Sequence, residues 1–207
     1  MPVHLVEHPL AQDALLVLRD RQTDTAAFRQ MATRISVLIA SEALRDLPTG
    51  SATVMSPMGA AHGRRLAADV VVVPVLRAGL GMLDAVLELL PSSRVGHIGL
   101  QRDEKTAIAS QYYAKLPARL DESYVLMIDP MLATGGSAVA AIELLERAGA
   151  RDIRLLCIVA APEGVALVQQ RFPGVHIYTP VIDQGLNDRK FIVPGLGDFG
   201  DRLYGTL

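Results

Sequence analysis

From Asp69 onward, short apolar runs rich in β-branched residues alternate with segments of helical spacing. Asp69–Pro74 (DVVVVP), Arg94–Leu100, Tyr124–Ile128, Ile153–Ala161 and Val175–Tyr178 read as strands. Between them, Gly79–Leu90, Ser137–Ala148 and Gly164–Arg171 read as helices. In the second of these, Ala138, Ala141, Ile142 and Leu145 fall at i, i+3, i+4 and i+7, and Gly149 ends the run. Strands that are apolar on both faces cannot leave either face in water. The pattern therefore predicts an α/β fold, a parallel sheet covered on both sides by helices. Ligands of such sheets collect outside the C-terminal strand ends. Upstream, Asp24–Leu47 predicts a long helix with Phe28, Met31, Ile35, Leu38 and Ile39 on one face and Thr23 or Asp24 as its cap. Thr49–Leu66 lacks a period, turns at MSPMG and is expected to form an extended arm. With 207 residues, no repeats and no linker composition, the chain is expected to be one domain, residues 1–207.

One strand-to-helix corner carries chemistry. Val125–Leu145 reads VLMIDPMLATGGSAVAAIELL: an apolar run stops at Asp129, and Ala133-Thr134-Gly135-Gly136-Ser137 opens the next helix. The first-turn N–H groups of a helix are unpaired and its dipole is positive there. Two glycines let a ligand approach the backbone, and two hydroxyls add donors, so the segment is a candidate phosphate cradle. No lysine follows the glycines, which separates it from nucleoside-triphosphate loops, and it is not G-x-G-x-x-G. Asp129 would repel a phosphate in the cradle itself, but it suits the hydroxyls of a sugar. A ribose 5-phosphate satisfies both features. A second corner, VVVVPVLRAGLGM, places Arg77, Ala78 and Gly79 between a strand and a helix. A guanidinium there can grip a diphosphate with two hydrogen bonds.

IDPMLATGGS resembles the phosphoribosyl-diphosphate signature of type I phosphoribosyltransferases, and its Asp-Pro form resembles that of uracil phosphoribosyltransferases. The resemblance extends to HPL at 8–10, VPVLRAGLGM at 73–82, RDEKT at 102–106, APEG at 161–164, DQGLN at 183–187 and PGLGDFGDRLYGT from Pro194. It implies a type I phosphoribosyltransferase-like fold: a central parallel sheet flanked by helices, a β-arm, and a hood over the base, formed by about residues 180–207 with the N-terminal segment. It implies conversion of uracil and 5-phospho-α-D-ribose 1-diphosphate (PRPP) to UMP and diphosphate, in pyrimidine salvage. Arg77, Arg102, Asp129 and Asp198 would be the catalytic set. PRPP would lie on Arg77, Arg102, Asp129, Pro130, Met131, Leu132, Ala133, Thr134, Gly135, Gly136, Ser137 and Asp198. Uracil would lie on Ile192, Gly197, Asp198 and Phe199.

Arg102 would belong to a lid running through Thr106, with Tyr112 and Tyr113 on its return strand. No dedicated protein metal site is expected; one Mg2+ per subunit would arrive carried by PRPP. The family suggests a homodimer or larger homo-oligomer, and GTP activates some relatives. Phe199 stands where bacterial members commonly have alanine and resembles the eukaryotic branch, and Phe191 stands where a tyrosine is common. Two other readings stay open: an RNA-binding regulator on the same fold, and a transferase for purines or orotate. The PGLGDF segment offers no cation for orotate's carboxylate before Arg202.

The remaining features set boundaries. A formal charge of -2 with interspersed acids and bases gives no field for nucleic acid or an acidic membrane. No apolar stretch approaches the roughly 20 residues that span a bilayer, and MPVHLVEHPL does not read as a signal peptide. Cys157 is the only cysteine and sits in an apolar run, where an inert buried thiol is expected. None of the five histidines is spaced as a metal ligand, and Glu163 of APEG is expected to cap a helix. The expected location is the reducing cytoplasm.

Overall fold

The computed structural model describes residues 3–102 and 109–206, with the side chains of 102, 109 and 110 left aside. Its strands are β1 (Val3–Leu5), β2 (Thr49–Ser56), β3 (Gly59–Leu66), β4 (Val70–Leu76), β5 (Arg94–Val95), β6 (His97–Arg102) and β7 (Ala109–Lys115), followed by β8 (Tyr124–Ile128), β9 (Met131–Leu132), β10 (Asp152–Leu156), β11 (Val159–Ala160), β12 (His176–Thr179), β13 (Gly185–Leu186) and β14 (Ile192–Val193). Its α-helices are α1 (Pro9–Arg19), α2 (Thr25–Ala43), α3 (Leu80–Leu89), α4 (Gly136–Arg147), α5 (Pro162–Arg171) and α6 (Phe199–Tyr204).

The main sheet runs β1-β12-β10-β8-β4-β6-β7, with β5 also on β4. All its pairings are parallel except β6 with β7, so the expected parallel sheet carries one antiparallel edge strand. That edge is the return strand expected to hold Tyr112 and Tyr113. The two central strands, β4 and β8, are buried over almost their whole length. Successive β4 residues alternate between two cores: Val70 and Val72 face α1, α2, α3 and α6, whereas Val71, Val73 and Val75 face α4 and α5. The unbroken β-branched run is thus what a sheet covered on both faces requires.

After β4 the chain continues on one side, to β6; after β8 it continues on the other, to β10. The order reverses between these neighbours, which opens a crevice outside their C-terminal ends. Both corners singled out in the sequence lie at that place, because β4 and β8 pair in register to Pro74–Ile128.

Several boundaries moved. The helix expected to reach Leu47 ends at Ala43; its cap is Asp24, whose Oδ1 accepts the Ala27 N–H at 2.8 Å. The single strand expected over Ile153–Ala161 is two. The Cys157 N–H still donates to Tyr178 of β12 at 3.0 Å, but the N–H groups of Ile158 and Val159 both turn to the Pro130 carbonyl, at 2.9 and 3.1 Å. Thr49–Leu66 is a regular hairpin, fully paired from Thr49↔Leu66 to Ser56↔Gly59, rather than irregular. Neither of its faces is buried, so burial imposed no alternation on its sequence. Cys157 is fully buried, and burial pushes its thiol up to about 12, so it stays protonated and unreactive. Among the described residues no helix is long and apolar enough to cross a membrane.

Candidate active site

A cleft of about 490 Å³ opens over the ends of β4 and β8. Val75, Leu76, Arg77 and Ala78 line one wall, and Asp129, Met131, Ala133 and Ser137 the floor. Ile192, Gly197, Asp198 and Phe199 close the far side.

The Asp129 corner is tightly organised. The Asp129 N–H extends the β8 ladder by donating to Leu156 O at 3.1 Å. Its carboxylate accepts the Met131 N–H at 3.4 Å, which turns the chain sharply. Pro130 and Leu132 are buried, and their carbonyls accept from β11 and from Ala161. These two residues therefore hold the loop from behind. Gly135 adopts φ 83° at the N-cap of α4, and Thr134 Oγ1 accepts the Gly136 N–H at 3.4 Å. The cradle rests on α5 at close range: a Cβ on Gly164 would lie 2.4 Å from the Ala133 carbonyl. This explains the glycine of APEG. Glu163 of that motif does not cap α5, whose N-cap is Ala161. Instead its carboxylate accepts the Leu186 N–H at 3.1 Å and ties the β13 segment to the helix.

At the other corner Arg77 is exposed, with its guanidinium 3.6 Å from Asp201 of α6 and 5.9 Å over the Tyr204 ring. Burial holds the Tyr204 phenol above its ordinary range, so it stays protonated and donates to the Arg77 carbonyl at 3.3 Å. Asp198 caps α6 by accepting the Asp201 N–H at 2.8 Å while remaining exposed to the cleft. Phe199 turns its ring into the core, edge-on to Phe28 with centroids 5.2 Å apart. It is 1% exposed, so the side chain is not a cover for the cleft.

Of the expected residues, Arg102 closes β6 but its side chain lies outside the described residues, as do Asp103–Thr106 of the expected lid. The structure adds Arg189, Lys190, Phe191 and Gly200 to the lining. Two of these correct the argument against orotate. Arg202 is turned away, donating to the carbonyls of Leu18, Leu196 and Asp20, but Arg189 and Lys190 do bring cations to the cleft. The signal was present in the run Asp188-Arg189-Lys190-Phe191, which follows the motif DQGLN rather than lying in PGLGDF.

A family model described as uracil phosphoribosyltransferase matches residues 5–206. Curated relatives called uracil phosphoribosyltransferase are 49% identical in Shouchella clausii and 50% in Symbiobacterium thermophilum, each over 99% of this chain and 98% of the relative. The solved structure of the AQ2163 protein from Aquifex aeolicus superposes with a TM-score of 0.93 at 33% identity, over 98% of this chain and 97% of that one. A purine phosphoribosyltransferase from Pyrococcus horikoshii reaches 0.50 at 15% identity, over 77% of this chain and 94% of that one, a likeness of fold alone.

Proposed function

The chain belongs to the uracil phosphoribosyltransferase family, and we propose that it joins uracil to PRPP in the cleft over β4 and β8, giving UMP and diphosphate. The observation that carries this is the meeting of two corners on neighbouring strand ends: a sugar-phosphate cradle with its carboxylate, and an exposed arginine, in one cavity.

Asp129 accepts from the ribose hydroxyls, and Ala133–Ser137 hold the 5-phosphate at the N-terminus of α4. Arg77 grips the diphosphate, and Arg102 joins it. Asp129 and Asp198 line the same cleft, and such hard oxygen donors suit magnesium, so these two carboxylates would face the water shell of an ion brought in by PRPP, one per subunit. When bound, that ion neutralises charge on the leaving diphosphate. The protein's own part is to position the reactants and stabilise charge, and no covalent protein intermediate is needed. The backbone of Gly197–Phe199 reads the uracil edge, beside Ile192. The reading extends to the reducing cytoplasm as location, to GTP as an activator by family resemblance, and to a homodimer or larger assembly. The exposed Val54, Met55 and Met58 of the β2–β3 arm support the last.

The test is turnover of labelled PRPP with magnesium and a panel of uracil, cytosine, orotate and purines. Uracil should give the highest kcat/KM, with UMP and diphosphate as products. A higher value for orotate, for which Arg189 and Lys190 supply cations, would overturn the assignment of the base.

Asp129→Asn tests the ribose role. One charge-assisted hydrogen bond is worth about 1.5–3 kcal/mol, so turnover should fall roughly ten- to a hundredfold in a folded protein. Unchanged steady-state rates would remove Asp129 from the site.

A further inference from the structure

The motif DQGLN received no role above, yet its aspartate is one of the most enclosed charges in the molecule. The Asp183 side chain is 4% exposed and lies outside the cleft lining. Its two oxygens accept both terminal nitrogens of Arg19, at 2.6 and 2.9 Å. One of those oxygens also accepts the Gly195 N–H at 2.9 Å, and Arg19 donates in turn to the Gly195 carbonyl at 2.9 Å. The pair therefore takes both backbone groups of a single glycine. Gly195 has φ 56°, and a Cβ there would sit 2.2 Å from the Ile192 carbonyl, so this turn has one narrow conformation. The next carbonyl, Leu196, is held by Arg202 at 2.8 Å. Gly197, Asp198 and Phe199, which follow at once, line the cleft. At its other end the clamp is tied to the phosphate side. The Asp183 N–H donates to Ala160 of β11 at 2.8 Å, and β11 pairs with β9 beside Asp129.

We propose that Arg19 and Asp183 are positioning residues for base selection, which fix the Gly197–Phe199 backbone at a set height above the ribose-phosphate floor. This rests on the uracil reading given above. A backbone reader has no side chain to adjust, so its selectivity depends on where the loop is held. A two-point guanidinium–carboxylate contact supplies that, and a lysine could not reproduce it.

Asp183→Asn, Arg19→Lys and the double variant, with melting curves to show that each is folded at the assay temperature, decide the matter. In either single variant the KM for uracil should rise roughly ten- to a hundredfold, and the preference for uracil over cytosine should fall about tenfold or more. The KM for PRPP should rise by much less, no more than about threefold, because Arg77 is carried by β4, Asp129 and the Ala133–Ser137 cradle have their own supports in β11 and α5, and only Asp198 moves with the clamp. The double variant should be no worse than about threefold beyond the poorer single one, since both remove one device. Unchanged uracil KM and base preference, or equal rises in both KM values, would overturn the proposal. So would failure of both single variants to fold, which would make the pair a structural brace only. A parent protein that does not use uracil would instead overturn the uracil reading, whatever the variants do.

Discussion

Phe199→Ala will lower the melting temperature by about 6–20 °C yet leave the preference for uracil over cytosine within about threefold of the parent. The ring is 1% exposed, packed edge-on against Phe28 and against the bare face of Gly81, where a Cβ would lie 3.0 Å from it. Removing such a ring costs about 3–5 kcal/mol, and each kcal/mol moves the midpoint of a domain this size by about 2–4 °C. Base choice should not follow, because the ring points into the core. Uracil offers an N3–H donor and an O4 acceptor; cytosine reverses both. Two mismatched, desolvated pairs give on the order of 10⁴-fold discrimination from backbone groups alone. Gly197→Val is the counterpart. Its Cβ would meet only Arg202 Cδ at 3.6 Å, but φ is 82°, a region that a β-branched residue scarcely enters. The backbone must rotate, and preference should fall with it. Values of kcat/KM for both bases in both variants check this; loss of preference in Phe199→Ala with retention in Gly197→Val would put the reading in the side chain.

Gly79→Ala should reduce kcat/KM by roughly two orders of magnitude or more, as expected when reacting groups are displaced by about 1 Å. An added Cβ would stand 2.4 Å from the Ile128 carbonyl and 2.7 Å from both the nitrogen and oxygen of Val75. All three are backbone atoms of the central strands, so no side chain can swing aside. The corner carrying Arg77 would be pushed away from β8, and Ile128 is the residue before Asp129. Gly63→Ala, in the exposed hairpin with nothing within 4 Å, is the matched control and should keep its activity within about twofold. A Gly79→Ala protein with parental kcat/KM would mean that the corner's geometry is not needed.

The central sheet was legible because burial on both faces forces an unbroken apolar run, as in β4 and in β8, whose bounds match those expected, Tyr124–Ile128. The Asp129 corner was legible because a phosphate cradle needs residues that are close in sequence. Helix α1 went unread even though His8 caps it, Pro9 begins it, and Ala11, Ala14, Leu15 and Leu18 make a buried stripe. That signal is local but weaker than the motifs of the strand-to-helix corners. Helix α6 was hidden by its six-residue length and by the glycines around it, although Asp198 and Asp201 mark its first turn. Arg189 and Lys190 were overlooked because a charged run between motifs looks like any solvated loop. The link from Arg19 to Asp183 could not be read at all, since no local pattern encodes a pairing across so much chain.

That separation has a consequence in time. Arg19 and Asp183 stand 164 positions apart. At about 5–20 residues per second, a ribosome takes roughly 8–33 s to make the second after the first. In that interval β4 through α4, with both phosphate-side corners, is synthesised. The Leu18 carbonyl, which awaits Arg202, has only water to accept from meanwhile, whereas that of Asp20 already accepts the Thr23 N–H. The half of the cleft that holds the sugar phosphate is thus synthesised as a local unit, while the half that chooses the base is assembled last, across closures of 164 to 184 positions.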